Sequence, residues 1–263
     1  MASSDEVNVP TVLALHGFTG SGLDFLPLRD ALGADSANWL LLDFKGHGES
    51  DSPDHADAYS LNTALDAVER SLNLARDPDN VLLLGYSMGG RVALHYLRRH
   101  PHLKAFLIGA SPGLPTNEER TSRIAMDDRW RESLLDGTHS VQAFCDEWEN
   151  QPLIQPQTAL PDPLRHELKT RRRANNPVGL ASSLRGLGTG ALPGLWGTLD
   201  TLPPVQLVHG EKDLKFGEIA RRMRKGNPSF VVHAIPDSGH SPHLENPLAT
   251  AECLARVLRR TGP

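Results

Sequence analysis

Short apolar runs alternate along the chain with longer stretches in which apolar side chains recur every three or four positions. The runs lie at 11–15, 39–43, 81–85, 105–108, 205–209 and 230–235 and are dominated by Val, Leu, Ile and Phe. Their length and composition predict strands. The stretches at 21–32, 60–75, 87–99, 216–225 and 249–260 carry helical periodicity. Strand–helix alternation on this scale predicts an α/β fold, a mostly parallel sheet flanked by helices. Ahead of the first run there is room for one short extra strand at most.

The rhythm breaks between 112 and 196. No strand pattern occurs there, and Arg, Pro and polar helix formers dominate. Three or four short helices fit, with stops near Gly137, Pro152, Pro161 and Pro177. The segment separates the fourth run from the fifth, so it is expected to project from the carboxyl edge of the sheet as a helical cap. The organisation predicted is a core of 1–111 and 197–263 with a cap insertion at 112–196. Ligands of open α/β sheets bind at that carboxyl edge.

The third run leads directly into Gly85-Tyr86-Ser87-Met88-Gly89, and a helical pattern follows at once. Strand, tight turn and helix in that order make a nucleophile elbow, in which a serine sits on a strained turn with its hydroxyl exposed. A serine hydroxyl needs a base, commonly a histidine oriented by a carboxylate. Asp213 follows the fifth run and His240 follows the sixth, giving the chain order serine, acid, histidine. Glu211 and Asp200 are the neighbouring alternatives for the acid. Among the 12 histidines, His243 is expected to pack at the start of the last helix, while His16 and His47 sit in glycine turns and read as structural. An oxyanion hole is expected from the backbone amides of Met88, after the serine, and Phe18, in the turn after the first strand.

Charge and composition narrow the picture. A formal net charge of −5 gives no broad positive field for nucleic acid or an anionic membrane. The start is polar and acidic, unlike a secretory signal, and no apolar run approaches the roughly 20 residues that span a bilayer. Cys145 and Cys253 show no metal-type spacing and read as buried free thiols. No metal motif and no dinucleotide loop is present; Gly186-Leu187-Gly188-Thr189-Gly190 follows no strand and is expected to shape a cap hinge. A cytoplasmic protein without a metal or cofactor is expected.

These elements together resemble the α/β-hydrolase superfamily from about residue 10 to the end. Within it, GYSMGGR at 85–91, SPGL at 111–114, EERTSR at 118–123, Phe144 through Trp148 with Gln151-Pro152, LRGLGTG at 184–190, GEKDLKF at 210–216 and HLENP at 243–247 resemble the 2-succinyl-6-hydroxy-2,4-cyclohexadiene-1-carboxylate synthases of menaquinone biosynthesis. The run at 43–50 departs from them, with Lys45 where proline is usual. The resemblance implies a lyase that removes a proton beside a carbonyl and eliminates pyruvate from a small polycarboxylate. Ser87 then acts as a base rather than as an acylated nucleophile. The resemblance also implies Tyr86, Arg91, Arg123, Trp148 and Arg173 as substrate-binding residues. Arg171 and Arg172 compete with Arg173, because a slip of one position exchanges them. The cap as a whole is not basic, with 11 acidic residues against 10 Lys and Arg. Individual guanidinium groups must therefore carry the recognition of carboxylates. The competing functions are a serine hydrolase acting on esters or carbon–carbon bonds, and a non-catalytic binding protein on the same fold.

Overall fold

A computed structural model describes residues 9–259. Six strands form one parallel sheet: β1 (Thr11–Leu15), β2 (Asn38–Leu42), β3 (Val81–Tyr86), β4 (Lys104–Ile108), β5 (Val205–Gly210) and β6 (Val231–Ile235). Their spatial order is β2-β1-β3-β4-β5-β6. The room expected for an N-terminal strand lies mainly outside the described residues.

The continuous apolar runs are explained by burial on both faces. Leu13, Leu15, Leu83, Ala105, Leu107 and Leu207 face one side. Val12, Ala14, Leu82, Leu84, Phe106 and Ile108 face the other. Alternate residues of a strand point to opposite faces, so a strand covered on both sides needs apolar residues throughout. The first face is covered by α2 (Leu61–Leu72), α3 (Met88–Leu97) and α8 (Leu214–Gly226). The second is covered by α1 (Leu26–Leu32) and α10 (Pro247–Arg259). The single turn α9 (Pro242–Glu245) precedes α10.

Between β4 and β5 the chain forms α4 (Asn117–Leu135), α5 (Val141–Glu149), α6 (Asp162–Arg173) and α7 (Pro177–Leu187). No strand occurs among them. At 19 residues α4 is longer than the short helices expected. Helices do end ahead of Pro161 and Pro177, at Ala159 and Arg173, and each proline also marks a start: Pro161 is the N-cap of α6 and Pro177 the first residue of α7. At that first helical position the missing N–H of Pro177 costs nothing. Gly186 lies inside α7 and Gly188 closes it, so the glycine run ends a packed helix rather than forming a hinge.

Side-chain caps fix several starts: Ser60, Thr116, Ser140, Asn176 and Asp213 accept backbone N–H groups at the heads of α2, α4, α5, α7 and α8. The helix expected at 21–32 is instead a 3-10 turn, Gly22–Phe25, followed by α1, whose first turn carries Pro27. The second strand lies one residue earlier than expected, and α2 ends at Leu72 rather than 75. No described helix is long and apolar enough to cross a membrane. Cys145 and Cys253 are both buried and unpaired.

Candidate active site

The strand order reverses direction at β1: the chain leaves it for β2 on one side and returns to β3 on the other. A crevice opens at the carboxyl ends of strands at such a point. Ser87 stands there, between β3 and α3, with φ 49° and ψ −103°. Its N–H donates to Ile108 O at 2.9 Å, and Gly89 N–H donates to His16 O at 3.0 Å. These two bonds anchor the turn to both neighbouring strands. A Cβ on Gly89 would fall 2.1 Å from Leu15 O, so only glycine lets α3 start so close to β1.

Three side chains from separate elements converge. Asp213 caps α8, where its Oδ1 accepts the Phe216 N–H at 3.0 Å. Its Oδ2 accepts His240 Nδ1–H at 2.8 Å. That bond selects the tautomer whose Nε2 is free to accept, and Ser87 Oγ lies 3.2 Å from Nε2. His240 and Asp213 are 2% and 6% exposed, so water does not compete for their bond. Gly109, at φ 55°, makes room for the imidazole: a Cβ there would lie 2.6 Å from His240 Cε1. Phe216 packs on the same ring, with centroids 4.3 Å apart. Neither Glu211 nor Asp200 takes the position beside His240.

Met88 opens α3, so its N–H precedes the first bond of the helical ladder. Phe18 lies in the turn after β1. Both residues line a cavity of about 430 Å³ together with Tyr86, Ser87, Arg91, Arg123, Trp148 and His240. Phe18 packs edge-on against Trp148 at 5.1 Å, which joins the core turn to α5.

The cationic wall has two parts. Arg91 is 9% exposed, gives one N–H to Leu187 O at 3.0 Å, and leaves Nε without an acceptor among the described residues. Burial chiefly, and then the Arg123 guanidinium, lower its pKa to about 10, against the pull of Asp127. It therefore stays charged at neutral pH. Arg123 donates to Asp127 Oδ1 at 2.8 Å, and burial raises the pKa of that carboxyl despite the two arginines.

Lys215 and Arg222 form the second part, on α8, and both line the cavity. Sequence reasoning did not single them out as binding groups. Their signal was helical spacing: Lys215, Ile219 and Arg222 share one face. The Arg222 guanidinium lies 4.4 Å above the Trp196 ring. The wall also carries Glu119 and Glu218. Glu119 is engaged with Thr116 in a capping box, and Glu218 pairs with Arg221 at 2.8 Å.

Arg173 is not brought to this cavity. Its guanidinium faces α5 and lies 2.6 Å from Asp146 Oδ1, which Lys169 also approaches at 3.1 Å. Hydrogen bonds from both hold the Asp146 carboxyl below the usual range. Arg171 reaches Asp24 at 3.1 Å. Arg172 is the buried one of the three. The histidines expected to be structural pack as such: His16 Nε2 accepts the Phe44 N–H at 3.0 Å, and His243 is buried between Tyr86 and Phe25.

A parallel sheet with a serine elbow, a buried histidine–aspartate pair and a cavity over the carboxyl edge defines a class. Residues 12–253 match the alpha/beta hydrolase family, and the chain belongs to it. A protein of Bacillus subtilis (strain 168) is 36% identical over 251 residues, covering 94% of this chain and 89% of its own length. A relative from Enterobacter sp. (strain 638), named 2-succinyl-6-hydroxy-2,4-cyclohexadiene-1-carboxylate synthase, is 32% identical over 258 residues, 95% of this chain and 92% of its own. The solved structure of MenH from S. aureus superposes with a TM-score of 0.88 at 28% identity, covering 97% of this chain and 96% of that one.

Proposed function

We propose that this chain is a 2-succinyl-6-hydroxy-2,4-cyclohexadiene-1-carboxylate synthase, a lyase of menaquinone biosynthesis. Its substrate is 2-succinyl-5-enolpyruvyl-6-hydroxy-3-cyclohexene-1-carboxylate, a small polycarboxylate. The observation that carries this reading is the composition of the cavity wall. Arg91, Arg123, Lys215 and Arg222 surround the space above Ser87, and its two carboxylates are engaged elsewhere. A simple esterase has no need of four cations there, whereas a ligand with several carboxylates does.

Ser87, His240 and Asp213 act as the triad. As Ser87 Oγ takes the ring proton beside the succinyl ketone, its own proton passes to His240 Nε2, and Asp213 stabilises the imidazolium. The released electron pair forms the C2–C3 double bond, the existing double bond shifts to C4–C5, and the C5–O bond breaks. Enolpyruvate leaves and takes up a proton to give pyruvate. Negative charge gathers on the succinyl carbonyl oxygen while the proton departs. The amides of Met88 and Phe18 are the donors for it. Arg91 and Arg123 hold one carboxylate, Lys215 and Arg222 another, and Tyr86 and Trp148 frame the ring. The segment 112–196 serves as the cap that keeps water from the site.

The test is pyruvate release from the enolpyruvyl precursor. Wild-type protein is expected to release it, and Ser87→Ala to lose at least about 10³-fold in kcat, the scale on which triad members act. Fast turnover of short esters with no pyruvate release would replace the lyase with the hydrolase.

A further inference from the structure

A buried chain of hydrogen bonds runs from the cap into the site and ends beside the reactive serine. Arg172, 7% exposed on α6, donates from Nη2 to Gln157 Oε1 at 2.5 Å. Gln157 Nε2 donates to Ser241 Oγ at 2.6 Å, and Ser241 Oγ lies 2.6 Å from the Tyr86 hydroxyl. Ser241 follows His240 in the chain, and Tyr86 precedes Ser87.

Counting hydrogens gives this chain a direction. A guanidinium only donates, so it fixes the Gln157 oxygen toward itself and turns the amide N–H groups toward Ser241. Ser241 is fully buried. Its oxygen already receives a hydrogen from Gln157, and its own hydrogen has one remaining neighbour among the described residues, Tyr86. If Tyr86 donated to Ser241, the serine hydrogen would be stranded in the interior, which native proteins avoid. Ser241 therefore donates to Tyr86, and the phenolic hydrogen remains unspent. Tyr86 lines the cavity beside Ser87, and burial raises its pKa, so the phenol keeps that hydrogen at neutral pH.

We propose that Arg172 is a positioning residue which, through Gln157 and Ser241, turns the Tyr86 hydroxyl into a hydrogen-bond donor for an anionic oxygen of the bound ligand. This rests on the reading of the cavity as a carboxylate site, and it assigns a function to the one cap arginine buried away from that cavity. Glu245 accepts Ser241 N–H at 2.9 Å and Gly239 N–H at 2.6 Å, so the His240 loop has an anchor of its own. The direction of the relay can thus be changed without moving the base.

Gln157→Glu makes that change. A carboxylate at 157 still pairs with Arg172 but can only accept from Ser241. The serine hydrogen turns to it, and Tyr86 must then donate to Ser241. The readout is labelling of Ser87 by a fluorophosphonate, with succinate as a competing dicarboxylate probe and pyruvate release measured in parallel. Unprotected labelling and the melting temperature are expected to stay at wild-type values. The succinate concentration that halves labelling is expected to rise about tenfold, the worth of one charge-assisted hydrogen bond, and kcat/KM for pyruvate release to fall alike.

Tyr86→Phe should give the same loss, and Gln157→Glu in the Tyr86→Phe background should add nothing. Equal further loss in that background would mean a bare charge effect and overturn the relay. So would unaltered protection in Gln157→Glu, or no protection by succinate in the wild type. If succinate protection follows the relay but wild-type protein releases no pyruvate, the lyase reading falls and the relay stands.

Discussion

Ser87 carries a positive φ of 49° that a non-glycine residue adopts only when its surroundings force it. Here the forces are identifiable: its N–H bonds to β4, and Gly89 is tied to the end of β1. The strain is worth on the order of 1–3 kcal/mol and holds the hydroxyl above the sheet, within reach of His240. Comparing two substitutions isolates it, because both delete the hydroxyl. Ser87→Gly is expected to be more stable than Ser87→Ala by about 1 kcal/mol, read from urea midpoints, with both inactive. Equal midpoints would mean the turn is unstrained. Asp213 shows the same economy at residue scale. One oxygen caps a helix while the other orients the histidine, so the acid is rigid before any ligand arrives.

Among the elements, α8 links these details. Its first residue follows the capping aspartate, and its exposed face turns Lys215 and Arg222 into the cavity. Both side chains are exposed and neither is paired with a carboxylate among the described residues. Their contribution therefore depends on the incoming ligand. Lys215→Gln with Arg222→Gln is expected to raise KM for the enolpyruvyl precursor about tenfold or more while kcat changes little, the signature of binding that is equal in ground and transition states. Raising the salt concentration should narrow the difference between variant and wild type, because exposed charges are screened. A fall in kcat at unchanged KM would assign these residues to the chemistry instead. The sequence made α8 legible as a helix. Its periodicity predicts a start at Phe216, and the structure begins it two residues earlier, at Leu214, because the Asp213 side chain caps it there.

At the scale of the whole molecule, burial of titratable groups couples stability to pH. His47 and His243 have pKa values lowered to about 3, chiefly by burial and secondarily by His16 and His240 respectively. His16 is lowered as well, for the same leading reason. Between the unfolded value of 6.5 and the folded value of about 3, the unfolded chain binds protons that the native state refuses. Stability is thus fully present above pH 6.5 and lost as pH falls toward 3. Each such histidine contributes a slope of up to about 1.4 kcal/mol per pH unit in that window. Urea midpoints at pH 7 and pH 5 measure it, and His47→Gln should reduce the loss. An unchanged slope would mean that this ring is protonated in the fold. The two sheet faces belong to this scale too: their helices bury both sides of every central strand, which is why the strands read as unbroken apolar runs.

The sequence by itself determined the strand–helix rhythm, the serine turn and the order of serine, acid and histidine. Each of these is written in local chemistry: apolar runs, small residues around a tight turn, and a carboxylate at a helix head. Position alone distinguishes the carboxylate and the histidine from their neighbours in sequence, and only the fold brings Asp213 and His240 within 2.8 Å. Tertiary structure also decided the three arginines that end α6. Arg171, Arg172 and Arg173 are adjacent and chemically identical, yet they point to Asp24, Gln157 and Asp146. Successive helix positions are rotated by about 100°, so neighbours in sequence face different partners. No pattern of residue types carries that choice, because it depends on which elements pack against each face of α6.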